Sequence, residues 1–214
     1  MKEKYRFGGS GLILAGGLSS RMGTDKAALL IGDKPLLVRL AEGMAREGCG
    51  PIAISVADEK REALYRGLLQ DSPVARRVQY VRDVYPGNGP LAGLHAGLSS
   101  LPSGYVFVMA CDMPVLSVPL LRRMEAAVAA RGKRGDAGPD VVTAPRQPFH
   151  ALYHTRTAPR IERALAAGDL RVMKLLGELD AYEVDISPEE TAAFLNLNTP
   201  EAYGDYLKRY ADGV

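Results

Sequence analysis

The segment from Leu12 to Lys26, LILAGGLSSRMGTDK, sets two glycines, an arginine, an aspartate and a lysine behind a short apolar run. Those residue types suit an anion. Gly16 and Gly17 lack Cβ atoms, so backbone N–H groups there can approach a polyphosphate. Arg21 offers a planar fork of donors and Lys26 a compact charge. A second candidate is Asp112 in the tetrapeptide CDMP, a carboxylate at the end of an apolar run. It could hold a hard divalent cation, since Mg²⁺ commonly takes one or two carboxylates plus substrate phosphates. In isolation both features have plainer readings, a strand-to-turn connection for the glycine pair and a turn cap for the aspartate.

Spacing excludes two familiar phosphate motifs at the first loop. A Walker loop needs Gly-Lys-Ser/Thr four residues after its first glycine, and the dinucleotide fingerprint needs a third glycine or alanine after a Gly-x-Gly pair. Gly87, Gly89 and Ala92 do match that fingerprint, with Asp112 at the end of the next strand about twenty residues on, which keeps an NAD-binding module open as an alternative. It leaves the first loop unexplained.

Composition sets the frame for these groups. The 214 residues, 47% hydrophobic and 24% charged, fit one soluble globular domain over 1–214. A net charge of +2 gives no reason to expect nucleic acid or membrane as a partner. Arg122 with Arg123, and Lys133 with Arg134, read as solvated faces. Cys49 and Cys111 are too few for a disulfide scaffold, no apolar run approaches membrane-spanning length, and MKEKYRFGG lacks the apolar core of a signal peptide. The expectation is a cytoplasmic protein.

The elements that must position the candidates alternate. Leu12 to Leu14, Ile52 to Val56, Val78 to Val81 and Tyr105 to Ala110 read as strands, the last apolar enough for a central parallel one. Between them, helices are expected over Lys34 to Glu47, Glu59 to Leu69 and from Pro90, a residue suited to the first helical position. This order predicts an α/β fold, a doubly wound and mostly parallel sheet with helices on both faces. Ligands in such sheets bind outside the carboxyl ends of strands, where the glycine loop, Asp83 and Asp112 all fall. Gly93 and Gly97 share one helix face, suited either to close packing on the sheet or to ligand contact. The second half predicts helices over Val118 to Ala130, Ala158 to Ala167 and Arg171 to Leu179. Its strands are expected at Val141 to Ala144, Ala151 to His154 and Tyr182 to Ile186, with a final helix near Pro200 capped by Thr199. His150 and His154 would share a sheet face with no third metal ligand evident.

LAGGLSSRMGTDK, Asp83 with GPLAG, CDMP and NLNTPE occur in the same order as in the nucleotidyltransferases that activate molybdopterin. The chain most closely resembles the molybdenum cofactor guanylyltransferases, and the matches span nearly its whole length. GDLRVMKLL at 168–176 is similar to a helix linker of that family. The resemblance implies transfer of GMP from GTP to the terminal phosphate of molybdenum-bound molybdopterin, with pyrophosphate leaving and Mg²⁺ as cofactor. It implies that Leu14, Ala15, Gly16, Gly17 and Asp83 bind the nucleotide. Arg21 and Lys26 would balance phosphate charge, Asp112 would hold the metal, and Asn198 would stand near the transferred phosphate. Transient contacts with cofactor-delivery and acceptor proteins would follow.

Ser55 departs from an asparagine in some relatives and carries no expected role. In RQPFH, a loop between strands, Arg146 and His150 are anion-contact candidates for the pterin. Cytidylyl relatives carry Leu-Ala-Ala-Gly where this chain has LAGG, which favours guanine. A cytidylyltransferase and a sugar-nucleotide pyrophosphorylase remain alternatives.

Overall fold

In the computed structural model, residues 7–17, 24–132 and 138–210 are described. Strand β1 (Ser10–Leu14) is buried at every position and pairs in parallel with β4 (Ile52–Val56) and β6 (Tyr105–Ala110). Two short strands, β2 (Leu30–Ile31) and β3 (Lys34–Pro35), form a separate ribbon. The parallel strand β5 (Val78–Arg82) joins β4 at one edge of the main sheet. On the other side β6 meets the antiparallel β8 (Gln147–His154), followed by β7 (Val141–Ala144) and the short β9 (Ala181–Glu183). The seven-stranded order is β5-β4-β1-β6-β8-β7-β9, with β8 alone opposing the others.

Side-chain alternation along the buried strands sends residues to two apolar layers. Ile13, Phe107 and Met109 face one side with α1 (Leu36–Arg46), α2 (Glu59–Leu69) and α4 (Val118–Gly132). Leu12, Leu14, Val106 and Val108 face the other with α3 (Pro90–Ser100), α5 (Ala158–Ala166) and α6 (Val172–Glu178). The final helix, α7 (Pro200–Tyr210), packs Tyr206 into the first layer. Helices thus cover both faces, as the alternation of elements requires. No helix among the described residues is long and apolar enough to cross a membrane.

Three sequence expectations shift. The helix expected from Lys34 starts at Leu36, because the residue before Pro35 is biased away from helical backbone and Lys34 pairs with Ile31 instead. RQPFH is not a loop. Gln147 to His150 lie in β8, which turns back on β7 through Pro145 and Arg146, the latter at φ 59°. Arg122 and Arg123 are not simply solvated, since Arg122 pairs with Glu47 and Glu125, and Arg123 pairs with Glu190. Lys133 and Arg134 lie outside the described residues. Both cysteines are free and buried.

Candidate active site

The carboxyl ends of β1, β4, β5 and β6 open onto one crevice of about 550 Å³. Parallel pairing in register forces this. Leu14 stands beside Ser55 on β4 and Ala110 on β6, so the loops that follow leave the same edge. The crevice is lined by Leu14 at the end of β1, by Ala15, Gly16 and Gly17 after it, and by Asp25 and Lys26. Ser55, Asp83, the Pro86–Pro90 turn, Gly93 and Asp112 complete most of the wall, with Phe149 and Asn196 at its rim.

At one end three segments converge. Asp25 caps a short 3₁₀ turn over Lys26–Ala28 by accepting a hydrogen bond from Ala27 N at 3.0 Å, and the turn seats Ala27 in the core. Lys26 is its first residue. The ammonium stands 3.3 Å from Asp112 Oδ2 and donates to Asn198 Oδ1. Asn198 is brought there by the backbone. Leu197 is buried, and its amide donates to the Asp112 carbonyl oxygen at 2.9 Å, pinning the NLN segment against the end of β6. Thr199 caps α7, accepting from Ala202 N at 3.2 Å, so the neighbouring asparagine is spared that task. A carboxylate and a cation that line the crevice therefore meet, and an amide oxygen holds the cation from behind.

The floor has a different chemistry. Ser55 Oγ and Asp83 Oδ1 are buried and have no hydrogen-bond partner among the described residues. Such orphans are uncommon in folded proteins and call for a partner or an explanation. Burial pushes the Asp83 carboxyl up to about 6. The space above these oxygens depends on two glycines. A Cβ on Gly93 would lie 2.6 Å from Ser55 Oγ, and one on Gly16 would lie 3.3 Å from Asp83 Oδ2. A Cβ on Gly17 would meet nothing within 4 Å, so no protein packing demands glycine there. The helix glycines divide accordingly. Gly93 faces the crevice, whereas a Cβ on Gly97 would lie 2.4 Å from Leu12 Cδ1 in the core.

Of the residues expected from sequence, the fold brings together Leu14, Ala15, Gly16, Gly17, Lys26, Asp83, Asp112 and Asn198. Arg21 lies outside the described residues. His150 is not an anion contact. It is fully buried between Phe107 and Phe194, and burial lowers it to about 4, leaving a neutral ring. Ser55 had no expected role, although a lone hydroxyl inside the apolar strand IAISV was the available signal. Tyr65 and Phe149 also line the crevice without having been singled out; nothing in their local sequence marks them. The Gly87–Gly89 turn does line the crevice, with φ of 84° and 65°. It follows the edge strand β5, however, and Asp112 ends a strand three places away, not the neighbouring strand a dinucleotide fold requires.

Asp112 offers one accessible carboxylate as a candidate metal ligand. Its side chain is 21% exposed at the crevice mouth, with an amide oxygen nearby on the same lysine. Among the described residues no three His, Cys, Asp or Glu side chains cluster for an all-protein cage. A single accessible carboxylate fits a hard cation that completes its shell with substrate phosphates and water.

Comparison with known proteins bears on what such a crevice does. Residues 11–182 match the family model described as the MobA-like NTP transferase domain. A molybdenum cofactor guanylyltransferase of Vibrio atlanticus is 32% identical over 198 residues, covering 90% of this chain and 92% of its own. One from Syntrophotalea carbinolica is 32% identical over 209 residues, covering 94% and 91%. The crystal structure of molybdopterin-guanine dinucleotide biosynthesis protein A from Archaeoglobus fulgidus superposes with a TM-score of 0.73 at 23% identity, covering 93% of this chain and 97% of that one. At that identity the superposition speaks to the fold.

Proposed function

The chain belongs to the MobA-like NTP transferase family, and on that premise we propose that it transfers GMP from GTP to the terminal phosphate of molybdenum-bound molybdopterin. A phosphate oxygen of the pterin attacks the α-phosphorus of GTP, the bond to the β-phosphate breaks, and pyrophosphate leaves. The observation that carries this reading is the convergence of Lys26, Asp112 and Asn198 at a crevice that also holds the unpartnered Asp83 oxygen.

Phosphoryl-type transfer needs positioning and charge neutralisation more than covalent help. Gly16 and Gly17 give the nucleotide backbone donors without side chains in the way. Lys26, with Arg21 as a second cation, balances phosphate charge. Asp112 would hold a divalent cation, Mg²⁺ in this reading, which when bound neutralises charge developing on the phosphates. Asn198 orients Lys26 and the phosphate beside it. Asp83, with Leu14 and Ala15, forms the guanosine end. A buried carboxylate accepts two hydrogen bonds, and guanine presents N1–H and N2–H side by side. The pairing edge of cytosine offers one amino donor beside two acceptors, which would leave the carboxylate unsatisfied.

Residues 1–214 are taken as one nucleotidyltransferase domain, because both apolar layers pack on one sheet. The cytoplasm is the setting proposed, where thiols such as Cys49 and Cys111 stay reduced. Pyrophosphate release is the test, measured with Mg²⁺, molybdenum-loaded molybdopterin and GTP, CTP or UTP in turn. Release with GTP well above the others is expected. Equal or faster release with CTP would overturn the guanine assignment, and no release with any nucleotide would overturn the reaction.

A further inference from the structure

Tyr65 lies on α2, away from the strand ends that carry the groups above, and its side chain is 1% exposed. Its hydroxyl nevertheless reaches the crevice. It stands 3.1 Å from the carbonyl oxygen of Ala15 and 3.1 Å from each carboxylate oxygen of Asp25. Ala15 precedes the glycine pair, and Asp25 precedes Lys26. We propose that Tyr65, seconded by Arg61, is a positioning residue for nucleotidyl transfer: it fixes Asp25 and, through Asp25, the direction in which Lys26 presents its ammonium. This rests on Lys26 being the phosphate cation.

The contacts form a chain with a definite order. A phenol has one proton to donate, and the carboxylate is the stronger acceptor because hydrogen bonds to ionised groups are roughly twice as strong as neutral ones. Asp25 Oδ2 also accepts from Arg61 Nε at 3.3 Å, on a side chain that is 17% exposed. Asp25 Oδ1 accepts from Ala27 N, which is the cap of the turn that Lys26 opens. Three donors from two elements thus hold one carboxylate, and the residue after it is Lys26. Burial raises the Tyr65 phenol well above its ordinary value, as does the neighbouring Asp25 charge, so it remains a donor throughout the working pH range. A buried tyrosine needs a partner for its hydroxyl in any case. What exceeds that need is the choice of partner, a carboxylate that itself caps the turn carrying Lys26.

Tyr65→Phe removes the hydroxyl and keeps the ring in the core. Three readouts decide: kcat and KM for GTP-dependent pyrophosphate release, amide hydrogen exchange at Ala27 in the free protein, and the same kinetics in an Asp25→Ala background. The expected result is a fall in kcat of about tenfold to a hundredfold, the scale of an ångström-level misplacement, with KM for GTP changed less. Ala27 exchange should speed up by about tenfold or more, corresponding to about 1.4 kcal/mol or more of lost local stability. In the Asp25→Ala background, Tyr65→Phe should cost little more, because both act through one contact. Wild-type kcat with unchanged Ala27 exchange, or an undiminished further loss in the Asp25→Ala background, would overturn the proposal. Should wild-type protein release no pyrophosphate, the transferase reading fails and Ala27 exchange alone decides the clamp. If Tyr65→Phe does not fold, Arg61→Gln removes the other side-chain donor to Asp25 and is read by the same measurements.

Discussion

Lys26 Nζ stands 3.3 Å from Asp112 Oδ2, a pairing of residues 86 apart in sequence that β1 and β6 bring together by lying side by side in parallel. Each side chain is about one-fifth exposed, 22% and 21%. Water screens a pair of that kind, and such pairs typically stabilise a protein by about 1 kcal/mol or less. The contact therefore holds the two groups in place without making either one structurally indispensable, which suits a cation and a carboxylate that must turn to a ligand.

Asp112→Asn keeps the shape of the side chain and removes the charge that would attract a divalent cation. Thermal stability of the free protein should change by no more than a few degrees, while guanylyl transfer falls by about a hundredfold or more. Near-normal Mg²⁺-dependent pyrophosphate release would rule out the metal role and leave Asp112 as a turn residue.

Lys26→Ala should weaken GTP binding and slow turnover while the fold persists, because the 3₁₀ turn is held by the Asp25 cap and the buried Ala27 and not by the lysine side chain. Titration calorimetry with GTP, alongside circular dichroism, checks both halves. Unchanged affinity would remove Lys26 from the phosphate site.

If Asp83 receives the base as proposed, base choice depends on pH. Burial raises its carboxyl from 3.8 to about 6, so the folded protein holds this proton more tightly than the unfolded chain. The group's contribution to stability is therefore greatest in acid and is lost as pH rises through about 6. Above that pH, Asp83→Asn should raise the melting temperature of the free protein by a few degrees, with the gain vanishing near pH 4. Guanine N–H donors need the ionised form, so GTP affinity should weaken as pH falls below about 6 and be lost in Asp83→Asn at any pH. A GTP affinity flat from pH 5 to 8 would exclude this contact.

The two glycines of α3 should behave differently on replacement by alanine. Gly97→Ala drives a methyl to 2.4 Å from Leu12 Cδ1 in a fully buried layer and should destabilise by about 1 to 3 kcal/mol, relieved in part by Leu12→Ala. Gly93→Ala meets Ser55 Oγ at 2.6 Å at the crevice floor and should reduce GTP affinity more than its effect on stability explains. Denaturant melts with and without GTP separate the two. Equal effects on stability and affinity at both positions would collapse the distinction.

The sequence by itself determined the alternation of elements and the positions of the four parallel strands whose carboxyl ends meet at the crevice. Short apolar, β-branched runs such as IAISV and YVFVMA favour buried parallel strands, and proline and glycine positions bracket the helices between them. GDLRVMKLL carried its helix, α6. Local rules misread Gln147 to His150, because a proline and polar letters look like a loop until β7 pairs with Gln147 and β6 with His150. Only the tertiary structure decided which polar groups end up without partners. Asp83 and Ser55 become orphans because Gly93 and Gly16 bring backbone close while leaving space, and His150 becomes a neutral core ring because Phe107 and Phe194 close around it. Burial, desolvation and the reach of Lys26 to Asn198 depend on atoms distant in the chain, and no local pattern of residues encodes such distances.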